Sequence, residues 1–362
     1  MQSRNIIILL LVAALVWSCT DKGDVREDEY FTEPHPVIIV PTYNEPASRA
    51  SISSVLQEFY INAVSGSTNK GRNIKYSWNG AAWNSSSTVL WPGPDVAISF
   101  WALSQAFSNG DSISGLRMTS KDQYFTYAID SLAPRDLIYG STLNTTYNKA
   151  GGAVRINFYG ALAYPYLKCK NGIKNVTLII KEVIVHNLSR AGTFTFNKTV
   201  NSSGTWTAIN NITGSFKQVL ETPITIPPDA SASIQITDSW KWIPQKPTKW
   251  TTTDAVPVPI ATADELHHSY VELKCQMIMN GGYVWGGAGG DAEYESVYIP
   301  FGSNFRTANY KNAITLTFTG GYMSDGKPVE LRSADSFTLA EWVKEDVLVD
   351  PWEEEEPEDL IF

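Results

Sequence analysis

Short runs of β-branched and aromatic residues, separated by turn-forming residues, dominate this sequence. The first clear runs are residues 59–64, 74–78 and 96–103, and Gly, Pro or Asn stands between them. Such runs predict β-strands, because branched and aromatic side chains pack well on a pleated surface. The segment Trp91-Pro92-Gly93-Pro94 excludes a helix, since proline lacks the amide donor and restricts the residue before it. The chain is therefore predicted to be built from strands.

A second series of strand-like runs begins after residue 150. Its members are residues 154–169, 176–186, 192–197, 233–243, 270–279, 297–301 and 313–318. Helical periodicity is weak and is confined to residues 51–58, 263–268 and 338–344. Many short strands with a turn signal every 8 to 12 residues or so indicate an all-β protein made of tandem antiparallel β-sandwiches, and the length favours two.

The first nineteen residues have the layout of a secretory leader. Arg4 precedes an apolar run over residues 6–16, and Trp17-Ser18-Cys19 follows the run. A run of this length is too short to span a bilayer, which needs about 20 residues. A cut before Cys19 would match the bacterial lipoprotein signal, in which the thiol is acylated. An ordinary leader with an incidental Cys19 is the alternative, and both predict an exported protein.

The chain divides into five predicted parts. These are a lipoprotein signal over 1–19, a tether with a possible removable strand over 20–49, β-sandwiches over 50–148 and 149–344, and an acidic tail over 345–362. The net charge is −9, and the tail alone contains nine acidic residues and no Lys or Arg. The remaining chain is neutral and has no basic patch, so nucleic acid is not an expected partner.

No segment carries a recognisable catalytic, cofactor or metal motif. The glycine-rich stretch 286–291 lacks the lysine of a phosphate-binding loop and is interpreted as a hairpin tip. Adjacent His267 and His268 point apart in a strand, which argues against a shared metal. Cys169 and Cys275 are interpreted either as buried free thiols or as a disulfide. We expect no cofactor, no metal and no enzyme activity, and a hydrolase would require a cleft with converging acids.

Three of the twelve tryptophans lie close together in a segment rich in Pro and Thr, and they are Trp240, Trp242 and Trp250. Most tryptophans are expected in cores, because the indole ring buries a large area. These three could instead form a stacking platform for sugar rings. That interpretation leads to the alternative hypothesis of an outer-membrane glycan-binding surface lipoprotein.

Several segments, in order, resemble the fimbrillin-like proteins of Bacteroidales, which are lipoprotein subunits of type V pili, and their Mfa-like relatives. The similarity begins with the lipobox at Cys19 and Ser48-Arg49-Ala50, which stands ahead of residues 59–63. It continues through residues 83–91, 96–103, 136–139, 154–162, 192–194, 242–245, 299–301 and 314–318. Nearly all of the exported chain is covered.

The resemblance implies two transthyretin-like sandwiches and a subunit of a surface fimbrium. It implies delivery to the outer membrane through a lipid on Cys19, followed by proteolysis between Arg49 and Ala50. The strand formed by Val37, Ile38, Ile39 and Val40 would then leave, and a strand from another pilus subunit would take its place. A glycan or protein on a host or bacterial surface is a further candidate partner.

The C-terminal end departs from the pattern of a stalk subunit. Residues 337–349 contain apolar positions that could form a donor strand, but Pro351 and the acidic run Glu353 to Glu356 interrupt the apolar pattern. The last three residues, 360–362, are apolar but too few for a strand. An accessory or tip role is therefore at least as strong an expectation as a stalk role.

Overall fold

The computed structural model describes residues 33–43, 56–107, 113–119, 123–129, 136–197, 204–208, 212–229, 232–253, 255–287, 292–303 and 311–331. The all-β prediction is confirmed for these ranges, which contain two short helices. No helix within them is long and apolar enough to cross a membrane. Residues Cys19, Arg49 and Ala50, the predicted helix 338–344 and the acidic tail lie outside the described ranges.

The strands are numbered in chain order. They are β1 (Ile38–Tyr43), β2 (Glu58–Ser65), β3 (Thr68–Trp78), β4 (Trp83–Ser85), β5 (Ile98–Leu103), β6 (Ile113–Met118), β7 (Gln123–Ala128), β8 (Ile138–Thr145), β9 (Ala153–Gly160), β10 (Tyr164–Asn171), β11 (Val176–Ser189), β12 (Ala191–Thr195), β13 (Thr205–Ala208), β14 (Thr213–Ile226), β15 (Ile234–Gln235), β16 (Tyr270–Met279), β17 (Gly282–Trp285), β18 (Glu295–Pro300) and β19 (Lys311–Phe318). The helices are α1 (Tyr147–Ala150) and α2 (Ile260–Glu265).

A seven-stranded sheet and a four-stranded sheet form the first half of the molecule. Their strand orders are β1-β9-β8-β5-β2-β3-β4 and β13-β12-β7-β6. In β5, Trp101 and Leu103 belong to the same buried cluster as Phe125 and Phe194 of the four-stranded sheet. The alternate residues, Phe100 among them, belong to a second cluster. Because successive side chains point to opposite faces, the seven-stranded sheet is buried on both sides here.

The second half contains a three-stranded sheet and a five-stranded sheet. The three-stranded sheet has the order β15-β10-β19. The other sheet has the order β14-β11-β16-β17, and β18 also pairs with β16. Leu167 of β10, Leu316 of β19 and Leu273 of β16 are fully buried in one cluster, which lies between the two sheets.

The expected boundary near residue 149 does not coincide with the sheets. Strand β9 lies beyond that boundary but pairs with β1 and β8 in the seven-stranded sheet. Strands β12 and β13 come later still, yet β12 pairs with β7 and completes the four-stranded sheet. The first half of the molecule therefore takes two separate segments from the region assigned to the second sandwich.

Two strand pairs depart from the antiparallel expectation. Strand β1 runs parallel to β9, with Ile38 opposite Ala153 and Tyr43 opposite Phe158. Strand β19 runs parallel to β10 along its whole length. Both β1 and β19 are edge strands of their sheets, and both pair with inner strands far away in sequence.

Two predicted segments form less regular structure than expected. The run 154–169 is interrupted at residues 161–163, where the chain passes from the seven-stranded to the three-stranded sheet. Within 233–243 only β15 is a strand, although Ile236, Trp242 and Ile243 are fully buried. An apolar run indicates that its residues are buried, but it does not show that they form a strand. The buried residues here have irregular backbone.

Candidate functional site

Strand β1 and the surface on which it packs form the candidate functional site, because they contain the removable strand predicted from the sequence. Of the four residues of the predicted removable strand, Ile38, Ile39 and Val40 begin β1, and Val37 lies directly before it. We call the surface formed by β9 and by segment 89–91 the β1 groove.

Side chains of β1 alternate between the core and solvent. Val37 and Ile39 are each 6% exposed, whereas Ile38 is 57% and Val40 38% exposed. Pro41 continues the buried series. Burial of a Val or Ile side chain stabilises a fold by about 1.5–3 kcal/mol, so the two inward residues are the main apolar anchors of this strand.

Two different backbone pairings hold the strand in place. The β1 residues themselves pair in parallel with β9. The residues just before it bridge to segment 89–91, where Val37 N donates to Val89 O at 2.8 Å and Trp91 N donates to His35 O at 3.0 Å. Segment 89–91 follows β4, the strand at the far edge of the same sheet. The segment that follows one edge strand, β4, therefore pairs with the residues that precede the other edge strand, β1.

The inward residues at positions 37 and 39 complete a large apolar cluster. Val37 and Ile39 belong to the same cluster as Val154, Ile156 and Phe158 of β9. Its other buried members come from β2, β3, β5, β8, the loop that carries Val89 and Trp91, and Leu56 just before β2. Removing β1 would expose this cluster along a slot bounded by β9 on one side and segment 89–91 on the other.

Segment 89–91 is the part of the groove that sequence reasoning misses. The sequence predicts that Trp91 is part of a turn with Pro92. In the structure its ring is buried and packs against Phe100 and Tyr147, with centroid distances of 6.3 and 6.0 Å. The available signal is the short apolar run Val89-Leu90-Trp91 before the proline. Nothing local indicates that this run pairs with residues 35–37.

The tryptophan platform predicted for sugar binding is contradicted by burial. Trp242 and Trp250 are fully buried, and they lie in separate clusters. Trp240 is half-buried and stacks on Trp242 with ring centroids 5.3 Å apart. Neither buried ring can offer a face to a sugar, so the prediction is wrong for this set.

Cys169 and Cys275 are free thiols with no exposed surface. They lie in the same apolar cluster, Cys169 in β10 and Cys275 in β16. Burial raises the pKa of the Cys169 thiol to about 12 and raises the pKa of Cys275 as well. Both side chains therefore remain protonated and act as small apolar core residues.

A polar network crosses the surface of the five-stranded sheet. His186 Nε2 lies 2.9 Å from Glu272 Oε2, and His186 Nδ1 lies 3.0 Å from Ser215 Oγ. Ser296 donates to Glu272 Oε1 at 2.6 Å. These four side chains come from β11, β16, β14 and β18, so the network links neighbouring strands. The sequence suggests an isolated His186, because its partners are distant along the chain.

No protein-family model matches this chain, and no curated protein matches its sequence. Solved structures do match. A fimbrial protein from Bacteroides vulgatus aligns over 78% of this chain and 94% of its own, with a TM-score of 0.51 and 13% identity. A candidate cell adhesion protein from Bacteroides ovatus aligns over 83% and 97%, with a TM-score of 0.42 and 12% identity.

The fimbrial anchor protein Mfa2 from Porphyromonas gingivalis aligns over 79% of this chain and 91% of its own, with a TM-score of 0.34 and 10% identity. Of these three, the Bacteroides vulgatus protein alone exceeds a TM-score of 0.5, and the assignment of fold rests on it. The all-β class expected from the family resemblance is confirmed, and this chain has the fold of a Bacteroides fimbrial protein.

Proposed function

We propose that this protein is a structural or adhesive subunit of a bacterial surface fimbrium. It reaches the outer membrane as a lipoprotein and joins other subunits by strand exchange after proteolysis. Its role is architectural and not catalytic. The fold shared with a fimbrial protein supports the general role, and the geometry of β1 supports the mode of assembly.

The single observation that carries the proposal is that β1 is an edge strand with buried anchors. Its residues come before Arg49 in sequence, so one cut there would disconnect it from the rest of the fold. The remaining slot would offer unpaired backbone groups on β9 and apolar pockets left by Val37 and Ile39. Strand addition uses these same two features, backbone pairing for affinity and alternate side chains for specificity.

Limited digestion with a trypsin-like protease tests the proposal. We expect cleavage after Arg49, a new amino terminus at Ala50, and multimers that resist SDS. The variant Arg49→Ala should stay uncut at this position and monomeric, whereas Arg26→Ala, a matched change within the tether, should assemble normally. A chain that is cut at Arg49 and still remains monomeric would contradict strand exchange.

Metabolic labelling with a radioactive fatty acid tests the proposed lipid. The unmodified chain should incorporate label and fractionate with the outer membrane, and Cys19→Ser should lose both properties. Cys169→Ser provides a matched change of a thiol in the core and should leave the labelling intact. An unlabelled but exported chain would favour the ordinary leader.

A further inference from the structure

A cavity of about 310 Å³ opens between the β2–β3 hairpin and strand β6. Asn62 and Val64 of β2 line it, and Leu116 and Met118 of β6 contribute apolar side chains. Arg72 of β3 and Arg117 of β6 are exposed residues that also border it. We call this cavity the Asn62 cleft. Its volume is at the lower end of the range for small-molecule sites, which begins near 300 Å³ or so.

Irregularities in two different strand pairs place the arginines at the cleft. Between β2 and β3, Ile61 pairs with Ile74 and Ala63 with Gly71, so Arg72 and Asn73 together face Asn62. Asn73 adopts a left-handed backbone with φ of 55°. A bulge of this kind bends the strand and redirects the neighbouring side chains.

A second bulge lies in β6. The register against β7 shifts between Ser114 and Arg117, and Gly115 at the shift has a φ of 58°. Glycine adopts this conformation without steric cost. Strands from two separate sheets therefore each present an arginine to the same opening.

The side-chain amide of Asn62 is buried and half satisfied. Asn62 is 3% exposed, and its Oδ1 accepts a hydrogen bond from Asn73 N at 2.7 Å. This contact fixes which end of the amide is the acceptor. Its Nδ2 has no hydrogen-bond partner in the described part of the chain. A buried donor without a partner costs about 1–3 kcal/mol, so such a group calls for an explanation.

The two arginines of the cleft also lack a counter-charge among the described residues. Among the ion pairs of the described residues, none involves Arg72 or Arg117. Among the residues that the structure describes, those that line the cleft include no acid. A guanidinium group presents a planar fork of donors that matches a carboxylate. Two such groups and one buried N–H donor match the hydrogen-bond acceptors of an oxygen-rich anion.

We propose that the Asn62 cleft binds a small carboxylate ligand. Arg72 and Arg117 pair with its carboxylate, and Asn62 Nδ2 donates to a second oxygen of the ligand. Leu116 and Met118 contact the carbon skeleton. An acidic sugar or an acylated amino acid can each supply this chemistry. The proposal concerns a different surface from the β1 groove and does not depend on strand exchange.

Isothermal titration of the full-length chain tests the proposal with defined probes. Glucuronic acid and N-acetylneuraminic acid represent acidic sugars, and N-acetylglycine represents an acylated amino acid. Glucose and N-acetylglucosamine are the neutral controls. We expect at least one carboxylate to bind with a Kd of about 1 mM or below. The series that binds identifies the source of the carboxylate.

Variants separate this site from general attraction to positive charge. Arg72→Gln and Arg117→Gln should each weaken binding about tenfold or more, because each removes a charge-assisted hydrogen bond. Arg72→Lys should recover only part of the loss, since lysine keeps the charge but not the fork. Arg155→Gln changes an exposed arginine on β9 and should leave the affinity unchanged.

The variant Asn62→Asp tests the buried donor. It retains the acceptor for Asn73 N and replaces the donor with a carboxylate, so it should abolish anion binding. The arginine variants change exposed residues and provide a result even if this buried substitution impairs folding. Absence of carboxylate binding up to roughly 10 mM, or binding that survives the combined Arg72→Gln and Arg117→Gln change, would overturn the proposal.

Discussion

Ile38 and Ile39 are neighbours in sequence with the same side chain and opposite environments. Ile39 packs in the core, while more than half of Ile38 is exposed. The alternation of a strand produces this contrast, so the two positions form a matched pair.

We therefore expect Ile39→Ala to lower the free energy of unfolding by about 2–4 kcal/mol. Ile38→Ala should change it by less than about 0.5 kcal/mol, because the lost methyl groups already contact water. Urea denaturation of the intact chain measures both values. Equal losses at the two positions would show that β1 does not anchor the fold through its inward face.

Glu272 provides a residue-scale prediction about pH. Burial alone would raise the pKa of Glu272, but hydrogen bonds with His186 and Ser296 outweigh burial and hold the pKa below its ordinary value of 4.5. Because the pKa is depressed in the folded state, this carboxylate stabilises the fold above the ordinary value. That stabilisation is lost as the pH falls below 4.5 and through the folded-state pKa.

Glu272→Gln should therefore reduce stability at neutral pH and flatten the decline of stability below pH 4.5. Ser296→Ala removes one of the two supporting hydrogen bonds and should show a smaller change in the same direction. Thermal unfolding across the acid range measures both effects. An unchanged pH profile for Glu272→Gln would contradict a role of this carboxylate in stability.

At the scale of elements, the β12–β13 hairpin is the clearest case of a segment that serves a distant sheet. Phe194 of β12 is 1% exposed and contacts Phe125, Tyr139 and Trp206, with centroid distances from 4.7 to 5.3 Å. Gly204 lies directly against the same ring, and an added Cβ there would collide with it. The hairpin is thus packed tightly onto the first half of the molecule.

We expect Phe194→Ala to cost about 3–5 kcal/mol, because the surrounding aromatic rings cannot collapse into the space. Hydrogen exchange should show lost protection in β7 and β12, with protection retained in β11 and β16, which pack around a different cluster. Thr193→Ala, a change on the opposite face of β12, serves as the control. Uniform loss of protection would mean that the two halves unfold as one unit.

Local pattern is sufficient for strands whose side chains are densely buried. The sequence predicts β2, β5 and β16 within one or two residues, because each carries a dense series of buried side chains. It misses β14, although this strand has 14 residues. β14 is an edge strand with exposed positions such as Val219, so polar residues occupy much of both faces and no period of two stands out.

Local sequence pattern cannot predict which distant segments pair with each other. The strand 37–40 is recognisable, but its partner in β9 lies 115 residues further along in the register. The Asn62 cleft depends on two bulges in separate sheets, and a single Arg in each strand gives no signal in sequence. Trp242 and Trp250 show the same limit, because composition identifies them as unusual but cannot report that both are buried.

At the scale of the whole molecule, a truncated chain tests how β1 relates to the rest. A chain that starts at residue 50 should be less stable, and a synthetic peptide of residues 33–43 should raise its Tm, because binding to the folded state alone stabilises it. A peptide with Ile39→Asp should not raise the Tm, because position 39 is buried. A peptide with Ile38→Asp should still raise it, because position 38 is exposed. If none of the three peptides changes the Tm, the slot does not accept a strand from a separate molecule.

The passage from β9 to β10 has a mechanical consequence. Residues 161–163 alone connect the strand that holds β1 to the strand that pairs with β19. All three are fully buried; Ala161 N donates to Leu137 O at 2.7 Å, and Ala163 and Trp242 exchange two hydrogen bonds of 2.9 Å. In a fibre assembled through the β1 groove, tension arriving on β9 would reach β10 and β19 through this one buried connection. Tension would then pass along β9, residues 161–163 and β10, and most of both sandwiches would not carry it. Loops elsewhere in the sandwiches could therefore vary in sequence without weakening the fibre.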